Sequence, residues 1–124
     1  MFMVWKIKKN LFESIMIAAK SNYPNEFLAL LGGKRNEKLL EELVVIPAVY
    51  GKDFSFLQSN LIPVDFSILG SVHSHPSYSF KASSEDLISF PRMGEVHLII
   101  AQPFNDSSFA LYDSKGHVLQ TKII

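Results

Sequence analysis

The chain contains no cysteine, and that single absence excludes disulfide staples, thiol nucleophiles and thiolate metal sites together. Any metal it holds must rest on histidine, aspartate or glutamate. There is no surplus of charge either: 12 Lys and Arg stand against 12 Asp and Glu, so the basic stripe of a nucleic-acid binder is missing and no such partner is expected. No apolar run approaches the roughly 18 residues of a membrane span. The opening Met1-Phe2-Met3-Val4-Trp5-Lys6 lacks the charged-then-apolar order and small-residue cleavage site of a secretory signal. The expectation is a cytoplasmic protein that does not engage a membrane. What is present suffices to fold: of 124 residues, 48% are hydrophobic and 19% charged, the proportions of one globular domain spanning 1–124 that can bury about two thirds of its unfolded surface.

Hydrophobic periodicity orders the chain. Val4 to Lys8 alternates as a short strand. A helix follows, with Leu11, Phe12, Ile15, Met16, Ala18 and Ala19 on one face, Ile17 on the polar side, and an Asn10/Glu13 pair at capping-box spacing. Ser21 to Asn25 is turn chemistry, and Glu26 to Gly33 reads as a buried strand led by a carboxylate. The charge run Lys34 to Lys38 suits a solvated hairpin turn, and Gly32-Gly33 ends a strand, since no Lys-Ser/Thr helix follows to make a phosphate loop. Leu43 to Tyr50 is a further strand in which Pro47 suggests a bulge or an edge. Gly51 to Asn60 is a loop whose Phe54 and Phe56 pack beneath it. Then come a strand from Phe66 to His75, a short helix from Ser83 to Phe90, a strand from Val96 to Gln102, and a hairpin from Phe109 to Ile124 turning at Asp113 to Gly116. Helices and strands mix without strict βαβ alternation, which predicts an α+β layered domain with a mixed sheet.

Side chains alternate along a strand, so Phe66, Ile68, Gly70 and Val72 share one face while Ser67, Leu69, Ser71, His73 and His75 share the other. Two imidazoles on one face can ligate one ion. Pro76 then ends the strand, and a Ser-rich stretch returns to a helix whose start could supply a third ligand. These residues alone leave plainer readings open. The histidines could be ordinary hydrogen-bonded side chains, Ser83 with Asp86 fits a capping box, and Glu26 could be a solvated strand end. His97 and His117 lack ligand spacing to the pair and read as packing or surface residues.

The pattern taken together is Glu26 before an apolar strand, His73-Ser74-His75-Pro76, then Ser83 and Asp86 with ten residues between His75 and Asp86. It resembles the JAMM motif of the MPN metalloprotease family over roughly residues 4 to 104, and the stretch Tyr23 to Gly33 is similar to the compact archaeal members. The resemblance implies a central mixed, mostly antiparallel sheet flanked by helices, with a layering like that of cytidine deaminases. It implies one zinc ion per chain on His73, His75 and Asp86, with a fourth coordination position open. Glu26 would then move a proton from the attacking water to the departing amine, and Ser83 would donate to the oxyanion on the scissile carbonyl. The family often carries an aromatic residue where this chain has Ser71, and a proline where it has Ala82; neither position carries the chemistry.

By the same resemblance the activity is that of a peptidase or isopeptidase that removes ubiquitin-like modifiers from lysine side chains. The expected partner is a small ubiquitin-like or sulfur-carrier protein whose diglycine tail lies extended beside a sheet edge. The chain has no room for the large insertions that set linkage choice in longer relatives. Two other readings are a peptidase that trims the C-terminus of a sulfur-carrier protein and a non-catalytic MPN scaffold, although scaffold members lack the ligands that stand here.

Overall fold

Why Glu26, the two histidines and Asp86 can meet is a question of strand order, because they come from three separate stretches of chain. The structure, a computed structural model, describes residues 3–45 and 67–124. The expected bulge at Pro47, the second half of its strand, the loop holding Phe54 and Phe56, and Phe66 lie outside the described residues.

Strand β1 (Trp5–Ile7) leads into helix α1 (Lys9–Asn22), followed by the antiparallel pair β2 (Leu28–Lys34) and β3 (Leu39–Val45). A 3₁₀ turn at Arg35–Glu37 and a left-handed Lys38 join that pair, as the charge run suggested. Strand β4 (Ile68–Ser74), helix α2 (Ser84–Ser89) with a 3₁₀ turn at Phe90–Arg92, and β5 (Val96–Ile100) come next. The chain ends with β6 (Phe109–Asp113), β7 (Val118–Leu119) and β8 (Thr121–Ile123). Among the described residues, the eight strands form one mixed sheet in the order β7-β6-β5-β4-β2-β3-β1-β8. Neighbours are antiparallel except β4 with β5, β1 with β3 and β1 with β8.

Two expectations fail here. The terminal segment is no continuous hairpin: β7 pairs with β6 at one end of the sheet, and after Gln120 alone the chain joins the opposite end as β8. The sheet is therefore rolled, with its ends joined by one residue, whose carbonyl accepts from the Trp5 amide at 2.9 Å. The capping box proposed for α1 is also absent. Lys8 is the N-cap without a side-chain bond, and the Asn10 carboxamide oxygen accepts from the amide of Leu11 at 2.9 Å.

The inner face of the roll is filled by α1. Leu11, Phe12, Ile15 and Ala19 are buried, while Ile17 is exposed, as the helical period requires. They pack with Ala29, Leu31, Leu69, Val72, Leu98 and Ile100. Burying side chains as large as Phe12 or Ile15 stabilises by about 1.5–3 kcal/mol each. The outer face carries Leu28 and Leu30 with Ile68 and Met93, and Phe90, Ile99, Ala110 and Tyr112 under the segment leading to α2.

This division corrects the alternation read along β4. Leu31 pairs with Gly70 but Gly32 pairs with Ile68, so Leu69 is an extra residue in the β4 ladder. Beyond the bulge the faces exchange: Leu69 joins the α1 core and Ile68 the outer cluster. Gly70 leaves no room for a side chain beside β5, for a Cβ there would lie 1.5 Å from the carbonyl oxygen of Val96.

Candidate metal centre

His73 lies on the outer face of β4, in register with Leu28 on one side and Ile99 on the other. His75 follows one residue past the strand end, where its amide donates to the Ile100 carbonyl at 2.9 Å. The two Nε2 atoms stand 3.0 Å apart. Helix α2 brings Asp86 to the same place: Oδ1 is 3.0 Å from His73 Nε2, and Oδ2 is 3.2 Å from His75 Nε2. Glu26, two residues ahead of β2, completes the cluster. Among the described residues, ligand-type atoms of Glu26, His73 and His75 lie within 4.8 Å of one another. Four of the five residues singled out in the sequence, Glu26, His73, His75 and Asp86, therefore meet at one end of the β4–β5 pair.

Asp86 does two jobs that the sequence posed as alternatives. Ser83 is the N-cap of α2 in a complete capping box. Its amide donates to Asp86 Oδ2 at 2.8 Å, and its Oγ accepts from the Asp86 amide at 3.1 Å. The carboxylate that closes the box is the one facing both imidazoles. Nor does capping exhaust Ser83, because a hydroxyl has two lone pairs and one proton. Accepting from Asp86 leaves that proton for another oxygen, so capping and donation to an oxyanion do not compete for it.

Would these groups hold a divalent cation? Ligand atoms about 2.0–2.1 Å from a tetrahedral zinc stand about 3.3 Å from one another, and the donor atoms here are separated by 3.0–3.2 Å. The imidazole orientation agrees. His75 Nδ1 is 2.8 Å from the carbonyl oxygen of Ser79, which can only accept, so Nδ1 carries a proton and, in the neutral ring that binds a metal, the Nε2 lone pair points into the cluster. Burial opposes charge on Asp86, yet hydrogen bonds from His73 and His75, the charge of His73 and the Ser83 amide hold its carboxyl well below the usual carboxylate range. Burial likewise opposes charge on His75, and is outweighed by the Asp86 hydrogen bond, the Ser79 carbonyl and the charges of Asp86 and Glu26, which raise it above its ordinary value. The site is built to attract positive charge, and its donors are of the right kind and spacing for zinc.

Three supports were not legible in sequence. The Ser79 carbonyl acts through the backbone, which no residue type announces. Gln102 donates through its side chain to the Pro76 carbonyl and through its amide to that of Ser77, and the Tyr112 hydroxyl donates to the Phe80 carbonyl at 2.8 Å. These bonds fasten the stretch between His75 and Ser83. His97 is a packing residue, as read: its Nε2 donates to the Gly94 carbonyl at 3.0 Å, its Nδ1 accepts from the Ser71 hydroxyl at 2.8 Å, and Phe90 stacks on its ring at 4.3 Å. His117 is at the surface, 3.1 Å from Asp113.

Comparison with known proteins agrees with this arrangement. Residues 8–112 match the family model of prokaryotic homologues of the JAB domain. The chain belongs to the JAMM/MPN metalloprotease family. A member from Haloferax volcanii, named a probable metalloprotease, is 29% identical over 116 residues, covering 86% of this chain and 71% of that protein. A solved structure described as a JAMM, metalloprotease-like zinc site in the proteasome and signalosome superposes with a TM-score of 0.78 at 33% identity, covering 98% of this chain and 99% of that one. A JAB1/MPN domain protein from Archaeoglobus fulgidus gives 0.76 at 32% identity over 97% and 96% of the two chains. These JAMM/MPN neighbours span essentially the whole chain, so the rolled mixed sheet with a helix on either face is the family fold.

Proposed function

We propose that this protein is a zinc-dependent isopeptidase that releases ubiquitin-like modifiers from lysine side chains. The observation that carries the reading is the meeting of the His73 and His75 Nε2 atoms with the Asp86 carboxylate, and of Glu26 with both imidazoles. His73, His75 and Asp86 would hold the ion, and His75 is already oriented for it by the Ser79 carbonyl. Bound zinc lowers the pKa of water from about 15.7 to about 7 and polarises a carbonyl.

The remaining steps belong to this chain. Glu26, a carboxylate beside the imidazole pair, takes the proton of the attacking water and returns it to the amine that leaves; general acid–base help of this kind contributes about 10²–10⁴ in rate. The Ser83 hydroxyl donates to the oxyanion as the carbonyl becomes tetrahedral, a contribution of roughly 10²–10³. A water is added across the amide, the lysine amine departs protonated and the modifier keeps its C-terminal carboxylate. Because β4 is paired on both sides by β2 and β5, an extended diglycine tail reaches the centre from beyond the strand end and not by adding to the strand that bears His73.

The test is to incubate the zinc-loaded protein with a modifier–lysine conjugate and, separately, with a sulfur-carrier protein bearing an extra C-terminal residue. Cleavage of the conjugate, abolished by a chelator and restored by zinc, is the expected result. Cleavage of the carrier alone would transfer the same chemistry to C-terminal trimming. A protein that takes up no zinc and cuts neither would be a scaffold.

A further inference from the structure

Strand β2 begins only at Leu28, which pairs with His73, so Glu26 lies ahead of the regular β2–β4 ladder. The carboxylate hangs on a two-residue extension between a turn and a strand. That extension is fastened by Ser74, the residue between the two histidines. The Ser74 amide donates to the Phe27 carbonyl at 2.9 Å, and the Ser74 Oγ accepts from the Phe27 amide at 2.8 Å. The second bond completes a rung with a side chain where a backbone carbonyl ordinarily serves. Its donor is the peptide group that joins Glu26 to Phe27, so the hydroxyl grips the backbone immediately beside the carboxylate. Both residues are buried, Ser74 to 1% exposure and Phe27 to 2%, and water cannot take over the bond.

Period-two alternation turns the Ser74 side chain away from the face that carries His73 and His75. One tripeptide therefore holds two imidazoles on one face and, from the other, the backbone of the carboxylate that must reach the same point. We propose that Ser74 is a positioning residue that sets the distance of Glu26 from the imidazole pair. The proposal rests on the hydrolase reading above, in which Glu26 handles the proton.

Replacing Ser74 by Ala removes the grip and leaves both histidines in place. A misplacement of about 1 Å at a reacting group can cost 10²-fold in rate, so S74A should lose about 10–100-fold in kcat with little change in KM and unchanged zinc content. S74C, close in size and retaining a weaker acceptor, should fall between wild type and S74A, and serves if S74A does not fold. Two further readouts separate positioning from general damage. The Phe27 amide, buried and bonded to Ser74 Oγ, should exchange slowly with solvent in the wild type and faster in S74A, whether or not zinc is bound. In an E26Q background S74A should cost nothing more, because the group it positions no longer acts; a merely structural defect would multiply with E26Q. Wild-type kcat in S74A, or losses that multiply in the double variant, would overturn the role of Ser74 and leave the hydrolase reading standing. A zinc-loaded wild type that cleaves no substrate, with Phe27 exchange still dependent on Ser74, would overturn the hydrolase reading and the catalytic half of this proposal with it.

Discussion

Ser83 and Asp86 exchange two hydrogen bonds, and one of the oxygens involved, Asp86 Oδ2, also lies 3.2 Å from His75 Nε2. The start of α2 and the metal centre are thus one structure. The capping box ties down the Asp86 carboxylate from its own helix of six residues, so the group that faces both imidazoles is held in place by its local structure.

Substitutions at Ser83 should separate the two uses of its hydroxyl. S83A removes the cap acceptor and the proton donor together, and should lower stability by about 1 kcal/mol and kcat by roughly 10²–10³. Glycine caps almost as well as serine, so S83G should cost only a few tenths of a kcal/mol in stability while losing kcat to the same extent. Urea unfolding and steady-state kinetics on the same preparations check this. Wild-type kcat in S83G would remove Ser83 from the chemistry.

Glu26 and Asp86 are both carboxylates beside the same imidazoles, and metal analysis tells them apart. E26Q should keep its zinc and lose about 10²–10⁴ in kcat, because an amide cannot accept the proton. D86N keeps an oxygen for the Ser83 amide but gives up the negative charge, and should purify with little or no zinc. If E26Q instead lost the metal, Glu26 would be a ligand and the proton would need another carrier.

How much of this was readable in the sequence follows from where each residue's neighbours lie. His73 with His75 at the end of β4, and Ser83 with Asp86 at the start of α2, are local pairs, and periods of two and three residues place them correctly. Glu26 reaches them only through strand pairing, which no local period encodes; the resemblance of the whole pattern supplied it. The exchange of Ile68 and Leu69 was invisible because a bulge is a property of two strands, and β2 makes the mismatch at Gly32. Asn10 misled for the opposite reason: its spacing to Glu13 suits a cap, but the N-cap is Lys8, two residues earlier, leaving Asn10 within the first turn.

Gly70 should tolerate no side chain. The Cβ of G70A would meet the Val96 carbonyl at 1.5 Å, and backbone cannot move aside as a flexible side chain does. Separating β4 from β5 should cost at least about 3 kcal/mol, the upper range for overpacking. Because β4 carries His73, zinc affinity should fall as well, a loss that thermal unfolding with and without added zinc would reveal.

His97 should make the fold acid-sensitive in a defined direction. Burial, opposed by the Gly94 carbonyl and helped by the nearby His73, pushes its pKa down from 6.5 to about 4. The unfolded chain then binds a proton that the folded one refuses between those values, so stability is full above pH 6.5, falls as the pH drops toward 4, and gains no further loss from this group below that. A displacement of that size corresponds to roughly 3 kcal/mol. Other groups titrate in the same window, and the raised pKa of His75 acts with the opposite sign. The comparison that isolates His97 is therefore the difference between pH 7 and pH 4.5 in urea unfolding free energy, wild type against H97Q, with the metal removed from both. The wild type should lose more stability on acidification than the variant; equal losses would mean that the Ser71–His97–Gly94 chain of hydrogen bonds accommodates the proton after all.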